Sequence, residues 1–332
     1  FNILNVGRYK LAIGSIGAAK RALELSVQYV KERKQFNQPI AAFTLTQEKI
    51  ATMASELYAH ESAVYRTVGL FKSRMDALNV GEADGRDFAR AIAEYQMECS
   101  IHKYMCTEML DYVVDEAVQL HGGYGFMAEY EVERMYRDSR INRIFEGTNE
   151  INRLLVPGAL LKKALKGELP LLEKALDLQQ QLMTMFPEEV GEEPLAQEKH
   201  LVSQAKKIAI LMCGLAAQTY MQQLEDEQEI LVRLSNIIGL VYHMESALLR
   251  AEKALDRDSS DLKQRLTEVY VQEAIELIIS YAKDIIITIQ SGDEKRMSLA
   301  ALRKLTRYNP YPLIYKKRAI AQIVLENGHY VV

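Results

Sequence analysis

With 332 residues, 48% of them hydrophobic and 26% charged, the chain can bury a large core, has room for about two domains and is too apolar to stay disordered. A net charge of −4, with Lys and Arg scattered among acidic residues, argues against a nucleic-acid partner. No uninterrupted apolar run reaches the length of a membrane span. Cys99, Cys106 and Cys213 sit inside helical patterns without CxxC spacing, which implies buried thiols in a reducing compartment. The opening Phe1-Asn2-Ile3 has neither Met nor a signal-peptide layout and reads as a cut within a longer polypeptide.

Apolar residues recur at three- and four-residue spacing along almost the whole sequence, so the elements read as helices. The first covers 2–31, with Ile3, Val6, Leu11, Ile16, Leu23, Val27 and Val30 in a broad stripe. Pro39 breaks the pattern, and 46–75 resumes it through Ile50, Met53, Leu57, Val64 and Leu70. The polar tract 75–87 reads as a loop. A third long helix spans 88–119 and stops at His121-Gly122-Gly123, where glycine supplies positive φ. Short helices at 130–140 and 149–162 complete a first unit, residues 1–165. Long helices joined by short turns predict an antiparallel bundle.

Composition shifts at 166–175, and the acidic, proline-containing tract 186–198 reads as a surface connector. Helices at about 195–224, 228–256 and 261–291 follow, with Ile208, Leu211, Leu215 and Tyr220 on one stripe. Short pieces at 297–306 and 313–325 finish a second unit, residues 166–332. The expected fold is therefore all-α: an antiparallel helical bundle followed by a second helical domain.

The chemistry concentrates in INRIFEGTNE (141–150), where Glu146 is a carboxylate between the apolar pair Ile144-Phe145 and Gly147-Thr148. An apolar flank partly desolvates such a group and makes it a usable base. Gly147 removes a side chain where another molecule approaches the backbone, and Thr148 reads as the N-cap of the next helix. His121 reads as a loop histidine donating to backbone. A di-iron bundle needs ExxH pairs; Glu98 and His102 are four apart, and no metal is expected.

Four stretches carry a family resemblance: NVGRYKLAIGSIGAAKRALELSVQYV (5–30), VKERKQFNQPI (30–40), QLHGGYGF (119–126), and YEVERMYRDSR running into INRIFEGTNE (130–150). In order and rough spacing, residues 1–162 resemble the C-terminal helical domain of the acyl-CoA dehydrogenases. The resemblance implies an FAD-dependent oxidoreductase that desaturates acyl-CoA thioesters in fatty-acid β-oxidation. It makes Glu146 the catalytic base, removing the pro-R α-proton while flavin N5 accepts a hydride from the β-carbon. Some relatives carry their base at the position of Gly7, which cannot act. Arg8 and Gly147 match substrate-contacting positions. Arg33, Gln35 and Phe36 match the RxxF element that reaches the FAD of a neighbouring subunit, a task suited to the bidentate fork of Arg. Gln119, Gly122 and Gly123 match the QxxGG turn at the cofactor, and Thr148, Asn149 and Glu150 match the strip after the base. Glu150 stands where several relatives carry Gln or Asp, and Thr44 where many carry a flavin-contacting Gln; Gln47 fits the pattern. The implied partners are acyl-CoA, an electron-transferring flavoprotein, and further copies of the chain in a homodimer or higher homo-oligomer.

By position and helical character, the second half resembles the extra C-terminal domain of the very-long-chain acyl-CoA dehydrogenases and their bacterial relatives. That implies long acyl chains, and a cytoplasmic location in a bacterium or the mitochondrial matrix in a eukaryote. The family's N-terminal helical domain and middle β-domain have no counterpart here, so the chain reads as a fragment that does not turn over alone. A non-catalytic assembly or membrane-docking module of the same fold is a second reading, which has no need of a base at 146. An acyl-CoA oxidase is a third, differing in electron acceptor. The stripes at 201–224 and 231–255 are expected to pack on neighbouring helices. Region 292–318 places Lys295, Arg296, Arg303, Lys304, Arg307, Lys316 and Lys317 around Leu299, Leu302 and Leu305, a candidate for peripheral membrane contact.

Overall fold

A computed structural model describes residues 2–78, 84–184, 190–255, 257 and 261–332. Helix α1 (Asn2–Glu32) leads into a two-residue hairpin, β1 (Lys34–Gln35) with β2 (Gln38–Pro39), and then into α2 (Thr44–Asp76). Phe36 and Asn37 form the hairpin loop with φ of 49° and 63°, the pairing of positive φ values that matches strand twist. After α3 (Gly85–Ala93) come α4 (Gln96–His121), α5 (Glu131–Ser139) and α6 (Asn149–Leu165). The second half holds α7 (Leu171–Thr184), α8 (Ala196–Tyr220), α9 (Gln228–Leu255), α10 (Leu262–Ile289), α11 (Gly292–Leu305) and α12 (Leu313–Asn327). The all-α expectation holds.

Helix α1 lies against α4, with Ala12, Ala19, Leu23, Val27 and Val30 facing Cys106, Leu110, Val113 and Ala117 in the interior. All three cysteines are free and buried. The core does not stop at residue 165: one continuous cluster runs from Tyr9 on α1 to Val324 on α12. The seam between the two halves carries long-range ties as well as apolar surface. Tyr58 on α2 donates to the Ala247 carbonyl at 3.2 Å, and Tyr104 on α4 donates to that of Ser235 at 2.8 Å. Buried Glu61 on α2 takes Lys20 of α1 and Arg250 of α9. Gly239 is required where Tyr104 crosses α9, because a Cβ there would meet the phenol oxygen at 2.5 Å.

Three local expectations change. The long helix 88–119 is two helices: α3 closes at Glu94–Tyr95, whose amides bond Arg90 and Ile92, and α4 restarts at Gln96. The Tyr95 ring packs edge-on against Phe71, which itself meets Tyr9, so an aromatic trio draws the chain inward at a point without Gly or Pro. The predicted loop 75–87 shrinks from both sides, since α2 runs to Asp76 and α3 starts at Gly85 under an Asp84 capping box with Asp87; residues 79–83 lie outside the described residues. Helix α7 was not expected as an element, and it follows directly on Pro170, as helices often do.

The basic amphipathic face at 292–318 is also corrected. Leu302 and Leu305 of α11 are 3% and 1% exposed and belong to the core, and Leu299 packs against it. Lys316 and Lys317 pair with Glu268 and Glu273, and Lys304 donates to the Leu182 carbonyl. The apolar half of the expected lipid surface is thus already used for packing. No helix among the described residues is long and apolar enough to cross a membrane.

Candidate active site

The turn that carries Glu146 lies between a 3-10 turn at Arg140–Arg143 and the start of α6. Glu146 and Gly147 have φ of 58° and 83°, two successive left-handed residues. For Glu146 that conformation costs about 1 kcal/mol or more, so surrounding groups must hold it. Arg8, buried on α1, donates from Nε to the Glu146 carbonyl at 3.2 Å. Asn152 on α6 donates to the carbonyls of Gly147 at 2.8 Å and Thr148 at 3.0 Å. The Thr148 hydroxyl accepts from the Ile151 amide, the N-cap read from the sequence.

The carboxylate of Glu146 folds onto α1 at Gly7. A methyl group added at Gly7 would lie 2.6 Å from Oε1 and 2.8 Å from Oε2. Gly7 therefore does more than fail to act as a base: its missing side chain is the space the carboxylate occupies. Oε2 is buried and has no hydrogen-bond donor among the described residues. An acceptor left in that condition is suited to take a proton from a substrate carbon brought against it.

Sequence reasoning missed the support beneath this turn. Lys103 on α4 is fully buried, and its Nζ donates to Asn149 Oδ1 at 2.6 Å. Asn149 in turn donates to Thr107 Oγ1 at 3.1 Å and Glu108 Oε1 at 3.0 Å. Its side chain thus points into the bundle and away from the surface where a cofactor contact was expected. Glu108 also receives both Nη atoms of Arg153, at 2.7 and 2.5 Å, while Arg153 Nε reaches Asn236 of α9 at 2.8 Å. Burial pushes the Lys103 ammonium down to about 8, with Glu150, Glu108 and Glu146 acting in the opposite sense. Exposed Glu150 sits at the start of α6, where backbone amide and the Thr148 hydroxyl hold its carboxyl below the usual range. One signal for Lys103 was available: it shares a helical face with Cys99, Cys106 and Leu110, an apolar stripe on which a lysine is out of place.

The remaining expected residues gather elsewhere. Arg33, Gln35, Gly122 and Gly123 line one cleft of about 370 Å3 with Tyr29, Ile40, Leu120 and Met127. Arg33 is exposed and stands 5.6 Å from the Tyr124 ring. Gly122 has φ of 61°, and a Cβ at Gly122 or Gly123 would meet nothing within 4 Å, so the turn opens outward. Gln119 is exposed and its carbonyl accepts the Gly122 amide; Phe36, 87% exposed, projects from the hairpin beside the cleft. His121 donates to the Ala117 carbonyl at 2.7 Å and stacks on Tyr29, as the backbone-donor reading expected. Gln47 is committed to the Ala41 carbonyl. An exposed guanidinium, a glycine turn without side chains and apolar walls fit one end of a dinucleotide. This cleft and the Glu146 turn lie at opposite ends of α1: 25 residues separate Arg8 from Arg33, about 37 Å at helical rise.

Residues 2–161 and 204–304 each match a family described as acyl-CoA dehydrogenase, C-terminal domain, and the chain belongs to the acyl-CoA dehydrogenase family. Over its whole length it is 58% identical to a probable acyl-CoA dehydrogenase of Bacillus subtilis (strain 168), of which it spans 57%. It superposes over 100% of its length, with a TM-score of 0.98 and 59% identity, on 57% of the chain in a crystal structure of an acyl-CoA dehydrogenase complexed with FAD from Bacillus anthracis. The very long-chain specific acyl-CoA dehydrogenase of Mus musculus is 39% identical over 155 residues, which is 47% of this chain and 21% of that protein. The chain thus covers little more than half the length of the relatives that match it throughout.

Proposed function

We propose that this chain forms the helical half of an FAD-dependent acyl-CoA dehydrogenase and that Glu146 is its base, acting on long-chain acyl thioesters. The observation that carries the reading is the Glu146 carboxylate itself: pressed over Gly7, one oxygen buried without a donor, on a left-handed turn held by Arg8 and Asn152. Bound flavin would supply the hydride acceptor. What the chain supplies is the proton acceptor and its placement. The α-proton of a thioester is weakly acidic, so its removal needs a base fixed within a few tenths of an ångström and shielded from water. Arg8 contributes by fixing the turn, since its guanidinium is bonded to the Glu146 carbonyl and to Asn5. Exposed Phe145, Ile144 and Ile151 around the turn offer an apolar surface for the acyl chain and for the rest of the enzyme.

Two ends of one helix, about 37 Å apart, cannot both serve the same flavin. Arg33 and the Gln119–Gly123 turn therefore act on the flavin of a second copy, and the working enzyme is a homodimer or a larger homo-oligomer. Long-chain use rests on the appended helices α7–α12, and electron-transferring flavoprotein as oxidant rests on the family reading. The test is stopped-flow flavin bleaching by a long-chain acyl-CoA in the flavin-loaded protein. Glu146→Gln is expected to keep FAD and acyl-CoA binding while bleaching slows by about a thousandfold or more. Near-normal bleaching in that variant would sink the assignment.

A further inference from the structure

We propose that Lys103 is a positioning residue for proton abstraction: its buried ammonium fastens, through Asn149, the turn that presents Glu146. The inference rests on Glu146 being the base.

Burying an ammonium is expensive, and a protein keeps one where paired groups need it. Lys103 is fully buried, yet its only direct partner among the described residues is a neutral amide oxygen, Asn149 Oδ1 at 2.6 Å. Asn149 cannot turn over, because its Nδ2 is held by Thr107 and Glu108. As the first residue of α6, Asn149 directly follows Thr148 and stands three residues after Glu146. The turn thus has two sets of fasteners: Arg8 and Asn152 grip its carbonyls, while Lys103 grips its exit from below.

The charges facing Lys103 come from three directions. Glu108 lies on its own helix, Glu150 and Glu146 on the turn and α6, and Arg8 on α1. Glu108 is already neutralised by the bidentate fork of Arg153. Glu150 is exposed and stabilised by the start of α6. Glu146 Oε2 is buried without a hydrogen-bond donor among the described residues, so the carboxylate depends on its turn for its placement.

The experiment compares Lys103→Met, Lys103→Arg and Asn149→Ala in the flavin-loaded protein, following flavin reduction by a long-chain acyl-CoA from pH 5.5 to 9. Binding of an acyl-CoA lacking α-protons and hydrogen exchange of amides 147–152 are measured alongside. Lys103→Met is expected to leave KM within about threefold, slow reduction by about 30- to 100-fold and speed exchange in the turn. Lys103→Arg should bring the rate back to within about threefold of the parent. Asn149→Ala should likewise speed exchange in the turn and slow reduction; it carries the test if Lys103→Met does not fold. A reduction rate within threefold of the parent in Lys103→Met, or unchanged rate and exchange in Asn149→Ala, would overturn the proposal. If Glu146→Gln abolishes bleaching while these variants behave as the parent, this inference alone fails; if Glu146→Gln bleaches normally, the underlying reading fails first.

Discussion

At the Gly7–Arg8 end of α1, Arg8, Lys103, Asn149 and Asn152 are buried and bonded within the chain, and Glu146 Oε2 is buried without a donor among the described residues. At the Arg33 end the polar groups are exposed, and the glycine turn opens onto free space. The roles proposed for the two ends account for the difference. A base has to be held in place before its substrate arrives, and only side chains from several elements can hold a left-handed turn. A contact to a second molecule instead needs donors left unspent. On the proposed reading, interior pairing marks the part of the site this chain completes alone, and the exposed Arg33 guanidinium the part it shares.

The sharpest way to break that comparison is Gly7→Ala. Alanine favours a helix over glycine by about 1 kcal/mol, so the thermal midpoint should hold or rise. The methyl group would displace the Glu146 carboxylate, and flavin reduction should fall by about a hundredfold. Unaltered kinetics would show that the carboxylate does not work from this position. At the other end, Arg33→Ala should weaken FAD retention by about 1.5–3 kcal/mol through loss of a charge-assisted contact, leaving the folded chain intact. Full FAD retention in this variant, or by a demonstrably monomeric protein, would contradict a shared site.

Burial also sets the response to acid. Desolvation pushes His60, packed between α2 and α9, down to about 4, against about 6.5 in an unfolded chain. The folded state refuses a proton that the unfolded chain accepts, so this contribution is complete above about pH 6.5. It is lost as pH falls from 6.5 towards 4, at about 1.4 kcal/mol per unit. In His60→Gln the slope of unfolding free energy against pH near 5 should fall by about that amount; an unchanged slope would place His60 in solvent. The smallest effect is expected on α11. Reversing Lys295, Arg296 and Arg303 to Glu should shift stability by about 0.5 kcal/mol or less and leave co-sedimentation with anionic vesicles unchanged at background.

The helices were legible because their stripes face a real core: Leu23, Val27, Ile50, Leu57, Ile208 and Leu211 are all buried as the spacing implied. The break at Glu94–Tyr95 was not, because it is made by aromatic packing between distant residues and carries no Gly or Pro. Helix α7 was overlooked although Pro170 marks its start. At the site, motif order singled out the Glu146 turn and several residues that line the Arg33–Gly123 cleft. It did not show that Asn149 faces inward, since that depends on a lysine 46 residues earlier. Nor did it show why residue 7 is glycine, which only the approach of a carboxylate 139 positions later explains.

The shared core also governs the order in which the molecule can be completed during synthesis. Tyr58 waits for Ala247, 189 residues downstream, a delay of roughly 10–40 s at ribosomal speeds. During that interval the part of α2 that packs on α9 and α10, Tyr58 included, lacks its final cover. Long-range closure rather than helix formation is therefore expected to set the pace of folding.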